Sequence, residues 1–313
     1  MSLGAVVEVT SRCNLACTFC YNPWRCRGAV TPPTLGTDAL LEACRRFSAR
    51  SGVAWMVFAG GEPLLRDDLE DLVCGLRAVA PHARFGVATN GLLLTDRRLA
   101  SLLAAGVTHL ELPLLTMDPV EFAQMTGVDG WRAARAALAR AAAAPATLTA
   151  AILLRPGVPL EALAELAFAL GADRIALNRF TPVGAGDAHR DRYLPDRATL
   201  DDLLARADRV AATLGIPVEA ALPVEPCLHD HARFPHLGFA SCRCGDAKWA
   251  IDPAGNLKVC ELADAVLGSL LEEDVGVLMG KAAVTSFRAR GRFEACGACL
   301  VKAVCGGGCR FSE

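Results

Sequence analysis

The chain has 313 residues, 53% of them hydrophobic, and a formal net charge of -2. Without a run of Lys or Arg, this charge gives no electrostatic basis for binding nucleic acid or an anionic membrane. The opening segment MSLGAVVEVTSRC lacks the parts of a signal peptide, and no uninterrupted apolar stretch approaches the ~20 residues of a membrane span. We therefore expect a cytoplasmic protein that binds neither nucleic acid nor membrane.

In chain order, the first two thirds of the sequence alternate strand and helix signals. Strands are predicted at 5–9, 54–60, 84–91, 108–115, 146–154 and 174–180, and helices at 37–49, 67–80, 96–106, 130–144 and 160–170. This alternation favours an α/β fold in which helices connect the strands of a parallel sheet. About six strand–helix units fit, fewer than the eight of a closed barrel.

The end of the chain has a different character. The Gly/Pro-rich, polar stretch at 181–195 predicts a long loop, and a helix at 199–214 and a short strand near 216–220 follow it. Beyond these, helical periodicity fades and cysteines become frequent, which is typical of a region held by metal rather than by a core. We predict one domain at 1–220 and a small cysteine-rich domain at 221–313.

The fourteen cysteines are clustered. In a reducing compartment such clusters more often bind metal or carry out chemistry than form disulfides. Four lie near the start, two are isolated and eight lie in the last third: Cys13, Cys17, Cys20 and Cys26; Cys44 and Cys74; Cys227, Cys242, Cys244, Cys260, Cys296, Cys299, Cys305 and Cys309. We expect Cys26, Cys44 and Cys74 to be structural, the last two as small apolar residues on amphipathic helices.

Three of the first cysteines form a tight C-x3-C-x2-C motif after the first predicted strand: Cys13, Cys17 and Cys20. Structural zinc sites use four protein ligands. A cubane iron–sulfur cluster held by only three cysteines has one iron that a substrate or cofactor can chelate. The motif's position predicts that the cluster lies at the carboxyl end of the sheet, where active sites of such folds occur.

A second motif, Gly60-Gly61-Glu62-Pro63, ends the next buried strand. Glycines let the backbone approach a ligand closely, while carbonyl groups and a carboxylate can receive an ammonium group. On its own this segment would be an ordinary turn. Together with the cysteine triad it indicates a binding site.

The triad, with Phe19 before its last cysteine, and the Gly60–Pro63 segment resemble the signature of radical S-adenosylmethionine (radical SAM) enzymes. The resemblance implies a partial (β/α)6 barrel and a 4Fe–4S cluster whose open iron is chelated by SAM. In that family the second motif lies against the SAM amino group, and Asn90 in the ATNG segment (88–91) would lie on the cofactor side. The implied reaction is reductive cleavage of SAM to a 5′-deoxyadenosyl radical, which abstracts a hydrogen atom from the substrate.

The fourth predicted strand departs from the commonest family pattern, because Pro113 cannot supply the serine hydroxyl found there in many relatives. Arg155 and Asn178, at the ends of later strands, are the candidates for binding the SAM carboxylate. The alternative for each is an ordinary polar residue at a strand end.

The carboxyl-terminal cysteines resemble the SPASM extension of a subset of radical SAM enzymes, which carries auxiliary 4Fe–4S clusters. The matching pattern is Cys244-x10-Gly255-x4-Cys260 followed by Cys296-x2-Cys299-x5-Cys305-x3-Cys309. The resemblance also implies a β-hairpin over 250–260 that turns at 253–256. Taken alone, the last four cysteines could instead bind zinc.

The family pattern assigns Cys244, Cys260 and Cys309 to one auxiliary cluster, with Cys242 or Cys227 as the further ligand. It assigns the other three, Cys296, Cys299 and Cys305, to a second cluster. The usual fourth ligand follows the quartet, and no cysteine follows Cys309 here. The second cluster could have an open or unusual ligand, an upstream cysteine could complete it, or only one auxiliary cluster forms. If Cys227 or Cys242 is unligated, it could return a hydrogen atom to a substrate radical.

Two substrate classes remain open. One is a ribosomal peptide under maturation, the commonest role of SPASM-bearing relatives, with oxidation assisted by the auxiliary clusters. The other is a small metabolite such as a sugar, nucleoside or tetrapyrrole, which the enzyme would dehydrogenate or epimerise. The first strand begins near residue 5, which leaves no room for a fused amino-terminal peptide-recognition domain, so recognition of a peptide would fall to a separate protein.

Two further expectations complete the sequence-based interpretation. The resemblance implies an electron donor of the flavodoxin or ferredoxin type as a partner. The alternative to an enzyme is a non-catalytic zinc scaffold, in which the cysteines serve structure alone. Three histidines lie near the predicted domain junction: His229, His231 and His236. They could be ligands or proton donors, but we expect them to lie in a solvated polar loop.

Overall fold

A computed structural model describes residues 3–26 and 28–312. The strands are β1 Leu3–Thr10, β2 Val53–Gly60, β3 Arg84–Ala88, β4 Val107–Pro113, β5 Thr147–Leu154, β6 Arg174–Arg179, β7 Val218–Ala220, β8 Leu237–Phe239, β9 Lys248–Ile251, β10 Asn256–Lys258 and β11 Gly268–Ser269. The α-helices are α1 Thr37–Ser51, α2 Leu69–Val79, α3 Asp96–Ala105, α4 Pro119–Thr126, α5 Trp131–Ala142, α6 Leu160–Leu170, α7 Arg190–Tyr193, α8 Arg197–Leu214, α9 Val275–Met279, α10 Ala282–Ala289 and α11 Lys302–Cys305. Short 3-10 helices lie at Pro23–Arg25, Pro63–Leu65, Gly184–His189, His231–Arg233 and Glu294–Ala298. None of the helices in this described part of the chain is long and apolar enough to cross a membrane.

The described residues form two compact units built from interleaved segments of the chain. The first unit contains residues 3–14, 22–110 and 243–289, and the second contains residues 15–21, 111–242 and 290–312. The amino-terminal cysteine motif is therefore divided, with Cys13 in the first unit and Cys17 and Cys20 in the second. A functional domain boundary near residue 221 stays a prediction.

The first unit contains six strands hydrogen-bonded in the order β11-β10-β9-β1-β2-β3. Strands β9, β1, β2 and β3 are parallel, with Val7 of β1 opposite Phe58 of β2, whereas β10 pairs antiparallel with β9 and with β11. Strand β1 is almost entirely buried, as expected for a parallel strand covered on both faces. Because β1, β2 and β3 are parallel, their carboxyl ends lie at the same edge, and the segments 11–14, 61–65 and 89–94 extend from it.

The second unit contains four parallel strands in the order β5-β6-β7-β8. Strand β5 is buried over nearly its whole length. Helices α6 and α8 pack together, and the Arg206 guanidinium on α8 binds the Glu161 carboxylate on α6, with an Nε–Oε1 distance of 2.7 Å. Helix α6 contacts β5, which Arg155 directly follows, and α8 contacts β7 and β8.

The predicted alternation of strands and helices is confirmed, since each of β1 to β6 is followed by one or two helices before the next strand. The prediction of a loop at 181–195 is wrong, because this segment contains the 3-10 helix Gly184–His189 and α7. Tyr193 in α7 is fully buried, and its ring lies 6.0 Å from that of Phe19 and 5.5 Å from that of Phe180. Aromatic burial organises a segment whose composition is polar.

The isolated cysteines differ in burial. Cys44 on α1 is fully buried, as expected of a small apolar residue, and burial raises the pKa of its thiol to about 12. Cys74 on α2 is exposed, contrary to the prediction, and its Sγ lies 3.9 Å from the carbonyl oxygen of Ala105. Cys26 is also exposed.

A carboxyl group and an ammonium group lie side by side in the core of the first unit. Glu8 in β1 is 1% exposed and Lys258 in β10 is 3% exposed, with 3.3 Å between Oε2 and Nζ. Burial raises the pKa of Glu8 to about 8, and the neighbouring Lys258 ammonium offsets only part of that rise. Between the ordinary pKa of a glutamate and pH 8, the folded chain therefore binds one proton that the unfolded chain has released.

We predict that the contribution of Glu8 to the free energy of unfolding falls as pH rises from about 5 to about 8, by an amount approaching about 1.4 kcal/mol per pH unit, and that Glu8→Gln removes this contribution. The contribution is complete below the unfolded pKa and is lost as pH rises through the folded one. Thermal unfolding of the wild type and the variant at pH 5, 6, 7 and 8 measures it. Glu272→Gln, at an exposed glutamate, is the control. Equal pH slopes in all three proteins would contradict the prediction.

Candidate active site

The amino-terminal cysteine segment follows β1, and its three cysteines are half-buried. In the second unit the backbone N–H groups of Ala16 and Thr18 donate to the carbonyl oxygens of Thr126 and Met125, at 2.8 and 2.9 Å. The Thr18 hydroxyl lies 2.6 Å from the hydroxyl of Tyr193. Hydrogen bonds from the end of α4 and from α7 therefore hold the part of the loop that carries Cys17 and Cys20.

The segment 184–193 supports this loop in a way that sequence patterns did not reveal. The Gly186 N–H donates to the carbonyl oxygen of Cys20 at 3.0 Å, and the Phe19 ring meets that of Tyr193 edge-on. A Cβ on Gly186 would lie 3.1 Å from the Phe180 ring, so a larger residue there would require the ring to shift slightly. The available signal was a tyrosine inside a polar stretch, which is too weak to predict a contact with residues so distant in sequence.

In the first unit, the strand end at Gly60–Pro63 is hydrogen-bonded to the residues just before Cys13. The Gly61 N–H donates to the carbonyl oxygen of Thr10 at 2.7 Å, and the Glu62 N–H donates to that of Arg12 at 2.8 Å. Gly60 has a φ of +122°, and a Cβ on Gly61 would overlap the carbonyl oxygen of Arg12. The two glycines are thus needed for the close approach of two backbones.

Glu62 is buried, and its carboxylate accepts three hydrogen bonds from the protein itself. The donors are the Thr89 hydroxyl at 2.6 Å and the N–H groups of Asn90 and Leu64 at 2.8 and 3.0 Å. Burial raises the pKa of Glu62, while these donors act in the opposite direction. The bond to Leu64 caps the short helix that begins at Pro63. This carboxylate therefore ties the ends of β2 and β3 together.

Asn22 is a candidate site residue that the sequence interpretation missed. Its Nδ2 donates to the carbonyl oxygen of Gly60 at 2.7 Å, and the residue is 5% exposed. Its Oδ1 is buried and has no hydrogen-bond partner among the described residues. A buried acceptor without a donor is costly, and an ammonium group of a ligand would satisfy it. Its position two residues after Cys20 was the sequence feature that could have identified it as a candidate.

Asn90 connects β3 to the cysteine segment within the first unit. Its Nδ2 donates to the Asn14 Oδ1 at 2.8 Å, and its own Oδ1 accepts the N–H of Leu92 at 3.0 Å. Both ends of the Asn90 side chain are thus engaged by neighbouring loops.

The two candidates on later strands have different surroundings. Arg155, directly after β5, is buried, and its Nη2 binds the Glu121 carboxylate at 2.6 Å. Its Nε is buried without a partner among the described residues. Asn178 in β6 is half-buried and lies opposite Leu153 in the register. Arg155 is the better placed to receive an anion, because part of its guanidinium group still needs an acceptor.

Two carboxyl-terminal cysteines come together in the first unit. The ligand atoms of Cys244, Cys260 and Glu261 all lie within 4.8 Å of one another. The Glu261 carboxylate also accepts a hydrogen bond from the Lys248 ammonium at 2.5 Å. Although burial opposes its ionisation, the Lys248 charge keeps the pKa of Glu261 below its ordinary value.

The hairpin predicted over 250–260 is confirmed, with β9 and β10 antiparallel. The Asp252 carboxylate accepts the N–H groups of Ala254 and Asn256, both at 2.9 Å, and so closes the turn. Gly255 has a φ of +78°, which the tight turn requires. This hairpin occupies most of the sequence between Cys244 and Cys260.

The other cysteines of the carboxyl-terminal region lie in the second unit: Cys227, Cys242, Cys296, Cys299, Cys305 and Cys309. The Cys242 N–H donates to the carbonyl oxygen of Cys305 at 3.3 Å. The three glycines that follow, 306–308, all have positive φ, and a Cβ on Gly306 would overlap the carbonyl oxygen of Cys242. These glycines let the chain fold tightly against the Cys242 segment.

The expected solvated loop of histidines is wrong in part. His229 is 3% exposed, and its Nδ1 lies 2.8 Å from the Asp201 carboxylate. His231 stacks on Phe239 with ring centroids 3.7 Å apart, and burial lowers its pKa. His236 is exposed, with Nδ1 3.1 Å from the Asp208 carboxylate. Two of the three histidines are therefore packed parts of the fold.

We predict that Glu62→Gln lowers the free energy of unfolding by about 1–3 kcal/mol, because an amide nitrogen would face a donor that the carboxylate now satisfies. Thr89→Val, which removes one of the three donors, should cost about 1 kcal/mol. Thermal unfolding measures both effects, and Glu165→Gln at an exposed glutamate is the control. A melting temperature of Glu62→Gln equal to that of the control would show that the carboxylate does not hold these loops.

Comparisons with known proteins agree with this arrangement. Residues 7–170 match the model of the Radical SAM superfamily, which is more than half of the chain. Curated relatives include "PqqA peptide cyclase" proteins. The one from Granulibacter bethesdensis is 28% identical over 320 residues, covering 98% of this chain and 82% of the relative, and that from Xanthomonas campestris pv. campestris (strain B100) is 29% identical over 275 residues, covering 87% and 70%.

Solved structures show the same fold. Streptococcus suis SuiB bound to the precursor peptide SuiA has a TM-score of 0.77 at 16% identity, covering 99% of this chain and 72% of SuiB. The anSMEcpe structure with bound AdoMet has a TM-score of 0.74 at 15% identity, covering 100% of this chain and 88% of the other. With its α/β fold, its parallel strands and a family match over its first half, the chain belongs to the Radical SAM superfamily.

Proposed function

We propose that this protein is a radical SAM maturase that oxidatively modifies a ribosomally made peptide. Its cofactors would be SAM, a 4Fe–4S cluster held by Cys13, Cys17 and Cys20, and one or two auxiliary 4Fe–4S clusters held by the carboxyl-terminal cysteines. The observation that carries the proposal is the similarity to PqqA peptide cyclases, which spans 98% of this chain and so includes both cysteine-rich ends.

The residues present suit SAM and its cluster. Three thiolates on one short loop offer three ligands to a four-iron cluster. Asn22 Oδ1 is a buried acceptor without a partner among the described residues, and it suits the SAM ammonium group. Arg155 would receive the SAM carboxylate, while Phe19, Asn90, Asn178 and the Gly60–Pro63 backbone would shape the site. When bound, the cluster and SAM supply radical chemistry that can remove a hydrogen atom from an unactivated carbon.

The chain's own residues would prepare the site for this chemistry. Glu62 holds the strand ends in place, and Tyr193 and Gly186 hold the loop on which Cys17 and Cys20 lie. A loop fixed by buried hydrogen bonds keeps ligands in one geometry and limits the entry of water.

For the auxiliary clusters, the proposed first set is Cys244, Cys260 and Cys309 with Cys242. The proximity of Cys244 to Cys260 supports it, and so does the glycine-assisted fold of the Cys305–Cys309 segment against Cys242. Held by these cysteines, auxiliary clusters would supply the capacity to accept electrons, which favours net oxidation of the substrate. A donor of the flavodoxin or ferredoxin type and a separate peptide-recognition protein are the further partners that we propose.

We predict that Asn22→Leu weakens SAM binding about tenfold, which corresponds to about 1.4 kcal/mol. Leucine matches the size of asparagine but offers no acceptor to the ammonium group. Anaerobic titration calorimetry with SAM and iron analysis measure affinity and cluster content separately. Gln124→Leu, at an exposed position of α4, is the control. Unchanged affinity with full iron content would exclude Asn22 as the acceptor.

The decisive test of function is the product. The reconstituted protein, a chemical reductant and SAM would be incubated with short peptides encoded beside its gene, and 5′-deoxyadenosine and peptide mass would be measured. We expect 5′-deoxyadenosine and a peptide that has lost two hydrogen atoms, and neither from a Cys13/Cys17/Cys20→Ala variant. If 5′-deoxyadenosine forms but only a sugar, nucleoside or tetrapyrrole is altered, the peptide assignment is wrong. Zinc in place of iron after anaerobic reconstitution would overturn the radical chemistry as well.

A further inference from the structure

A lysine–glutamate ion pair lies beside two cysteines of the first proposed auxiliary cluster. The Lys248 ammonium donates to the Glu261 carboxylate at 2.5 Å, and Glu261 directly follows Cys260 in the chain. The ligand atoms of Cys244, Cys260 and Glu261 all lie within 4.8 Å of one another. The two thiols have a role in the proposed function, whereas the ion pair so far has none.

The Glu261 carboxylate contacts the sulfur of Cys260 directly. The Cys260 thiol donates to Glu261 Oε2, with 3.5 Å between sulfur and oxygen. Both residues are buried, with 5% and 8% of their surface exposed. A thiolate and a carboxylate at this distance would repel each other, because little water is present to screen them. The Lys248 ammonium is the cation that offsets this repulsion.

The backbone places Lys248 next to Cys244. These two residues form an isolated parallel β-bridge. The Gly245 N–H donates to the Lys248 carbonyl oxygen at 3.0 Å, and the Lys248 N–H donates to the Arg243 carbonyl oxygen at 2.9 Å. These bonds hold the start of β9 against the segment that carries Cys244. The ion pair and the two thiols therefore belong to one compact group within the first unit.

A second lysine fixes the backbone of Glu261. The Lys258 ammonium donates to the Glu261 carbonyl oxygen at 3.1 Å and lies 3.3 Å from the Glu8 carboxylate. Lys258 is buried, with 3% of its surface exposed. An ammonium group thus holds each end of Glu261, one at the backbone and one at the side chain. The carboxylate therefore has a fixed position beside Cys260.

We infer that the Glu261 carboxylate lowers the reduction potential of the auxiliary cluster at Cys244 and Cys260, and that Lys248 limits this effect; the inference rests on the proposed function. Reduction of that cluster adds one electron and neither makes nor breaks a bond, so the negative charge at the site rises by one. In the proposed function, the peptide under oxidation supplies the electron and releases a proton. A nearby carboxylate disfavours the added charge and a nearby ammonium group favours it.

A redox titration of charge variants tests the inference. The reconstituted protein, in a Cys13/Cys17/Cys20→Ala background, would be titrated with dithionite and followed by electron paramagnetic resonance. We expect Glu261→Gln to raise the equilibrium constant for reduction of one auxiliary cluster about tenfold, which is about 59 mV for one electron. Lys248→Met/Glu261→Gln removes both charges and should return to within about threefold of the unsubstituted pair. A purely structural role would not produce two shifts of opposite sign.

Two controls assign the shift to this cluster and to these charges. Cys244→Ala should remove the signal that Glu261→Gln shifts. Glu273 and Lys281, between β11 and α10, form a matched ion pair with 2.7 Å between nitrogen and oxygen. Glu273→Gln, alone or with Lys281→Met, should leave every reduction potential unchanged.

The opposing outcomes are distinct. An unchanged or lower potential in Glu261→Gln would overturn the inference, and so would a double variant whose potential stays as high as that of Glu261→Gln. Loss of about four irons from Glu261→Gln would also overturn it, because the carboxylate would then be needed to hold the cluster. A wild type with only about four irons, or with zinc, would instead overturn the auxiliary clusters of the proposed function.

Discussion

The arrangement of the first unit depends on the hydrogen bonds that the buried Glu62 carboxylate accepts. It is buried at the carboxyl edge of the parallel strands and is satisfied by a hydroxyl and two backbone N–H groups from the ends of β2 and β3. The backbone of the same segment bonds to Thr10 and Arg12, just before Cys13. Because a buried carboxylate is costly without its donors, the three strand ends are fixed as a group. The loops that would hold the cofactor begin at these strand ends and are therefore held in place as well.

The second unit also contains a buried, hydrogen-bonded glutamate, but its donors are of a different kind. Glu225 is also buried, but two guanidinium groups and one backbone N–H satisfy it. Around it lie segments with little apolar periodicity, whose conformation depends on glycines with positive φ. In such a region a few charged, desolvated hydrogen bonds replace the packing that an ordinary core would provide. Backbone hydrogen bonds hold Cys242 and Cys309 of this unit in place.

The sequence-based predictions that depend on residues close together in the chain were the most reliable. Apolar patterns identified the strands β1 to β6 and the helices α1, α2, α3, α5 and α6, but not α4, because burial of a strand or of one helix face leaves a periodic signal. The turn at Pro253–Asn256 was also predicted, and the structure has it. The segment 181–195, the buried His229 and the exposed Cys74 were mispredicted, since their environments come from residues far away in the chain.

The sequence by itself determined the α/β class and the family, because cysteine spacing and the Gly-Gly-Glu-Pro strand end are constraints within single loops. Only the tertiary structure decided which groups those loops meet. It engaged the Glu62 carboxylate with the protein's own donors, left the Asn22 oxygen buried without one among the described residues, and placed the Cys305–Cys309 glycines against Cys242. The physical reason is that the spacing of residues in the sequence limits the distance that a loop can span. Burial and hydrogen bonding between distant segments then decide which groups lie within that distance.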